Sequence, residues 1–286
     1  MHDFYYKGEE LFCEDVSIRN IVEQVGTPCY IYSHQAIHRQ FHDFDDAFKN
    51  IPHIVAYAMK ANSNIGVLRI LAKEGSGADI VSGGELFRTL KAGVPSNKIV
   101  FAGVGKSPEE IRYALESDIL MFNVESSGEV QQINEVAQTM GVRARVALRI
   151  NPDIDPQTHP YISTGLKANK FGVQRERAVE IYQLASSYSH LNIIGMDCHI
   201  GSQLTEVEPF VDALDRLLLL IDELASKGIT ISHLDLGGGL GVPYKDEIPP
   251  SPDVYVKAIM TRMNVRKELK LIIVSVSTLL ITLILL

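Results

Sequence analysis

Lys60 ends the apolar run Ile54-Val55-Ala56-Tyr57-Ala58-Met59 and is followed by Ala61-Asn62-Ser63-Asn64. Read alone, a lysine there marks where a buried strand reaches solvent. It has a second use, because an amine desolvated at the mouth of an apolar pocket becomes a nucleophile for carbonyl carbons. Two other stretches bear on the choice. His199-Ile200-Gly201-Ser202-Gln203 sets an imidazole beside a hydroxyl, and Gly237-Gly238-Gly239-Leu240-Gly241 follows an apolar strand. The glycine run is either a tight turn or a cradle whose backbone N–H groups approach a phosphate unobstructed. The histidine is either a satisfied core residue or a ring that stacks on a cofactor. A nucleophilic lysine, a phosphate cradle and a stacking imidazole together describe a site for pyridoxal 5′-phosphate.

Whether these residues meet depends on the elements that carry them. Short apolar, β-branched runs recur at Ile54–Met59, Ala78–Val81, Lys98–Ala102, Leu120–Val124, Arg145–Ile150, Ile193–Cys198, His233–Leu236 and Lys270–Ile273. Between them Gly66–Glu74, Gly84–Ala92, Pro108–Ser117, Ser127–Met140, Arg175–Ser187 and Glu208–Lys227 read as helices, several with Ser or Asn caps and a closing glycine. Eight strand–helix units with apolar strands predict an α/β fold with a parallel sheet closed as a (β/α)8 barrel. A doubly wound sheet is the alternative, but no Gly-x-Gly-x-x-Gly follows the first strand. In a barrel the strand ends share one rim, which favours the chemical reading of Lys60 and His199. A further strand, Cys29–Tyr32, and a helix over about Ser33–Lys49 precede the barrel, the strand lying outside it.

Composition narrows the function classes. The 286 residues are 46% hydrophobic and 22% charged, with a formal net charge of −8 and no long Lys/Arg run, which argues against a nucleic-acid partner. Cys13, Cys29 and Cys198 are widely spaced, as expected of reduced thiols in the cytoplasm. The N-terminus lacks the pattern of a signal peptide. The nine histidines show no His-Glu-x-x-His or similar spacing, so no metal site is expected.

The blocks "YAMKAN", "HPYISTGLKANKFG" (159–172), "DCHIGSQ" (197–203) and "LDLGGGLG" (234–241), in this order, resemble the fold-type III PLP-dependent decarboxylases. Within that family they are most similar to the branch acting on meso-2,6-diaminopimelate. The resemblance runs from about Thr27 to Ile273 and implies a TIM-like barrel of the alanine racemase/PLP-decarboxylase type. It implies that Lys60 carries PLP as a Schiff base and that His199 stacks on the pyridine ring. Ser202, Gly237, Gly238 and Gly239 would hold the phosphate, and Asp79 and Arg149 would line the ring pocket. The implied reaction releases CO₂ from diaminopimelate to give L-lysine, in a cytoplasmic homodimer. Decarboxylases of ornithine, arginine or carboxynorspermidine, and an inactive PLP-binding remnant, remain alternatives.

One departure stands out. The family follows its eighth strand with Glu-Pro-Gly-Arg, where this chain has Val274-Ser275-Val276-Ser277, and the family's C-terminal β-domain is missing. The expected organisation is a segment 1–33, a PLP-binding barrel 34–273 and an aberrant apolar tail 274–286. Leu271 to Leu286 carries no charge over 16 residues, just short of the roughly 18 that a membrane helix needs. A frameshifted or truncated reading and a membrane anchor both account for it. The altered eighth strand also puts the edges of the first and seventh at risk of exposure.

Overall fold

The structure is a computed structural model that describes residues 3–154, 171–243, 246–264, 271–277 and 283–285. The N-terminal part forms an antiparallel sheet of β1 (Phe4–Lys7), β2 (Glu10–Cys13) and β3 (Val16–Ser17), followed by α1 (Ile18–Val25). These strands are too short to have shown a period in the sequence. β4 (Tyr30–Tyr32) lies outside the barrel as expected, pairing antiparallel with β14 (Leu283–Leu285). α2 (His34–Phe48) then leads into the barrel.

The barrel strands are β5 (His53–Ala58), β6 (Gly77–Ile80), β7 (Ile99–Phe101), β8 (Met121–Val124), β9 (Ala144–Asn151), β11 (Leu191–Asp197), β12 (His233–Asp235) and β13 (Ile272–Ser277). Each pairs in parallel with the next, and β13 returns to β5, so the sheet closes on itself. A two-residue strand, β10 (Val173–Gln174), is added to β9. The helices are α3 (Ile65–Lys73), α4 (Gly83–Ala92), α5 (Pro108–Glu116), α6 (Ser127–Met140), α7 (Arg175–Ser187), α8 (Glu208–Ser226) and α9 (Pro252–Met263). Ser82, Ser107, Ser126 and Asn64 cap four of these helices by accepting a hydrogen bond from a first-turn N–H. Gly93 ends α4 in the left-handed region at φ 96°, which favours glycine.

Most of the core lies between the barrel wall and the helices, and the barrel interior is a separate, smaller cluster of Ala56, Val100, Met121, Ala147 and Val274. Close packing at its centre requires Gly195, where a Cβ would stand 2.9 Å from the Ala147 methyl. The eighth strand differs from the sequence reading. It runs on through Ser277 rather than stopping at Ile273, because Val274 is fully buried in this cluster and its backbone continues the pairing with β5. The edges of β5 and β12, the first and seventh strands, are therefore both covered by β13 rather than exposed. No helix among the described residues is long and apolar enough to cross a membrane.

Candidate active site

The first apolar layer inside the barrel is followed, toward the C-terminal ends of the strands, by a polar one. Side chains alternate along a strand, so a residue two positions beyond an inward-facing one faces inward again. Asn123 lies two beyond Met121, and Arg149 two beyond Ala147. Parallel register then aligns Arg149 with Asp197 and Asp197 with Asp235 on three successive strands. Asp79 sits opposite Ala58.

Above this layer opens a cavity of about 1290 Å³. Lys60, Asp79, Arg149, His199, Ser202 and Gly237 to Gly239 all line it, so the structure brings together every site residue expected from the sequence. Lys60 is exposed, in the turn immediately after β5. The rest of "HPYISTGLKANKFG" before Phe171 lies outside the described residues.

Arg149 is the internal cation. Its guanidinium donates to Glu125 Oε1 at 2.9 Å, approaches Asp197 Oδ2 at 4.0 Å and lies over the Phe171 ring at 5.3 Å. Burial works against its charge, but Asp197 and Glu125 outweigh burial and raise its pKa. The acids respond to burial first. Asp79 is pushed up to about 7, with Lys60 pulling the other way and Asp197 adding to the rise. Its Oδ1 is buried without a hydrogen-bond partner among the described residues, a costly arrangement unless something else occupies the cavity. Asp235 is likewise pushed up to about 7 by burial, against a hydrogen bond from Asn123. Burial beside Asp235 raises Asp197 well above the ordinary carboxylate range.

His199 is held neutral. Burial, then Arg149 and Lys60, lower its pKa to about 3. Its Nδ1 accepts a long hydrogen bond of 3.4 Å from Gly238 N–H, which places the ring proton on Nε2. The glycine run is tightly seated. At Gly237 φ is 64°, and a Cβ would stand 2.5 Å from Cys198 O, so no other residue fits without a shift. Gly237 N–H donates to Asp235 Oδ1 at 2.9 Å. Gln203 ties this loop to the histidine loop, accepting from Val242 N–H at 3.0 Å and donating to Val242 O.

Asn123, Glu125, Asp197 and Asp235 are site residues that were not singled out in the sequence. The last two lie two residues before His199 and Gly237, and their inward direction follows from the register of the neighbouring strands rather than from a local signal.

The comparisons with known proteins agree with this geometry. Residues 34–275 match the family "Pyridoxal-dependent decarboxylase, pyridoxal binding domain". Over 273 residues the chain is 54% identical to diaminopimelate decarboxylase of Haemophilus influenzae, covering 96% of this chain and 66% of that protein. Among solved structures, diaminopimelate decarboxylase from M. jannaschii in co-complex with L-lysine superposes with a TM-score of 0.90 at 40% identity, over 97% of this chain and 67% of that one. The Helicobacter pylori enzyme complexed with L-lysine gives 0.85 at 42%, over 90% and 64%. The chain thus spans about two thirds of the length of these relatives. With a match that runs from α2 round the whole barrel into its eighth strand, the chain belongs to the pyridoxal-dependent decarboxylases and carries their pyridoxal-binding domain.

Proposed function

We propose that this chain is the cofactor-binding barrel of a carboxy-lyase that converts meso-2,6-diaminopimelate to L-lysine and CO₂, with Lys60 as the point of attachment of pyridoxal 5′-phosphate. The observation that carries the reading is the single cavity shared by Lys60, the Asp79 Oδ1 that has no hydrogen-bond partner among the described residues, neutral His199, and Gly237 and Gly239, which have no room for side chains. The names of the relatives, two of them solved with L-lysine, support the substrate.

The residues present fit the cofactor. Gly237 N–H is taken by Asp235 and Gly238 N–H points to His199, so of the four residues expected to hold the phosphate, Gly239 N–H and the Ser202 hydroxyl are the donors that remain for it. Bound pyridoxal phosphate supplies an electron sink for the pair left behind when an α-carboxylate departs as CO₂. Lys60 supplies the amine that joins the cofactor's carbonyl carbon. His199, uncharged and fixed through Nδ1, offers a flat face for stacking. Asp79, its carboxyl pushed up to about 7 by burial, holds or releases a proton at Oδ1, which has no partner among the described residues. Arg149 orients the acids around it and keeps Asp197 and Glu125 from repelling one another. The partners are an amino-acid substrate and, as for the family, a second copy of the chain, in a cytoplasm that keeps Cys13, Cys29 and Cys198 reduced.

Titration with pyridoxal phosphate tests this. The unmodified chain gains a visible absorption band that Lys60→Ala lacks, and meso-diaminopimelate or L-lysine perturbs the band at lower concentration than ornithine or arginine. Equal absorbance in Lys60→Ala removes the attachment role, and the reverse ligand order removes the substrate.

A further inference from the structure

Away from the barrel mouth, helix α2 and the end of helix α3 bring three metal-ligating side chains together. His38 and His42 stand four residues apart on α2 and so share one face. Both point to one carboxylate, that of Glu74 at the C-cap of α3. His42 Nε2 is 2.8 Å from Glu74 Oε2, and His38 Nδ1 is 3.1 Å from the same oxygen. The two imidazole rings are 4.4 Å apart, and the three ligand atoms all lie within 4.8 Å of one another.

We propose that His38, His42 and Glu74 form a site for a divalent transition-metal ion of the zinc class, clamping α2 to α3. Two imidazoles and one carboxylate are a donor set that such ions take, with water completing the coordination. Ligands around tetrahedral zinc, at bonds of about 2.0–2.1 Å, stand roughly 3.3–3.5 Å apart. The observed 2.8 and 3.1 Å are therefore short by a few tenths, the spacing of N–H donors on a shared acceptor. Small χ rotations open that gap, and the side chains have room, being 50% and 36% exposed for His38 and His42. Glu74 is 20% exposed and anchors the site from the more buried side.

His38 and His42 do stand at the i, i+4 spacing of helical metal ligands, which the sequence reading passed over, and the third ligand comes from beyond a whole strand. That strand is β5. α2 enters it and α3 leaves from the loop after Lys60, so an ion here ties together the two helices that flank the lysine-bearing strand. The site is independent of the cavity and of the function assigned to it.

Cobalt(II), a spectroscopic stand-in for zinc, tests the proposal on the full chain. One equivalent binds saturably with visible ligand-field bands, and zinc displaces it. Affinity falls more than about tenfold in His42→Ala and in Glu74→Gln, and zinc no longer raises the melting temperature of either. His190→Ala, at a half-buried histidine far from the site, leaves both readings unchanged. X-ray absorption of the zinc-loaded unmodified chain counts imidazole ligands without any variant. Two imidazoles on the ion support the site. Binding weaker than about 1 mM, binding that survives both substitutions, or zinc without two imidazoles overturns it.

Discussion

Carboxylates inside the barrel mouth and carboxylates at the helix N-termini outside it occupy opposite environments. Outside, Glu85 accepts from Val81 N–H at 2.7 Å, and Glu110 accepts from Gly83 N–H at 2.7 Å and Ser107 N–H at 3.0 Å. Backbone hydrogen bonds, chiefly that from Gly83, hold Glu110 below its usual range despite burial. Inside, burial raises Asp79, Asp197 and Asp235 instead. The same functional group thus stabilises the scaffold where N–H donors meet it and costs stability where few do. On the proposed function the inner acids are retained because the cavity they surround uses them, a division common at active sites.

The largest effect should come from the seam between the two regions. Gly237→Ala forces a methyl to within 2.5 Å of Cys198 O at a left-handed backbone position. It should cost about 3–5 kcal/mol in denaturant unfolding and abolish the cofactor's visible band. Retention of both stability and band would mean that the glycine run is only a turn.

Asp79→Asn should act in the opposite direction on stability. The folded pKa is raised from 3.8 to about 7, so the folded state holds the extra proton between those values. The contribution of Asp79 to stability is therefore full below about pH 4, declines as pH rises through the window to about 7, and is level above it. Asn carries no charge to bury. The variant should be more stable than the parent by on the order of 4 kcal/mol at pH 8 and equal to it near pH 4, while holding the cofactor less well. Parallel pH–stability curves would show that Asp79 is not penalised by burial.

How far each region could be read from the sequence follows from the same contrast. The outer scaffold was legible because its signals are local: Ser82, Ser107 and Ser126 stand one residue before their helices, and Gly93 and Gly141 end theirs. The glycine, histidine and lysine of the site were legible because strand ends share a rim. Asn123, Asp197 and Asp235 were not, since an acid or amide in an apolar run shows its inward direction only once register with neighbouring strands is known. The end of β13 was misjudged for a similar reason. Uncharged Val274 read as the start of a tail, yet it fills the barrel centre against Ala56 and Val100, contacts made by residues far away in the chain.

The smallest expected effect belongs wholly to the outer shell. Glu110 closes a capping box with Ser107 at the start of α5 and also accepts from Gly83 N–H, the first residue of α4, so one carboxylate serves two helix N-termini. Glutamine offers one accepting oxygen where glutamate offers two, so Glu110→Gln loses one of these bonds and the charge that favours a helix N-terminus. The cost should be about 1 kcal/mol at neutral pH. Because the folded pKa lies below the unfolded value of 4.5, the parent's advantage is present above that value and disappears as pH falls through the folded pKa. The two unfolding curves should therefore converge in acid, with the variant approaching from the less stable side, whereas Asp79→Asn approaches its parent from the more stable side. Cofactor titration should be identical for Glu110→Gln and the parent. A change in cofactor affinity here would break the separation between the acids that hold the barrel together and those that serve its cavity.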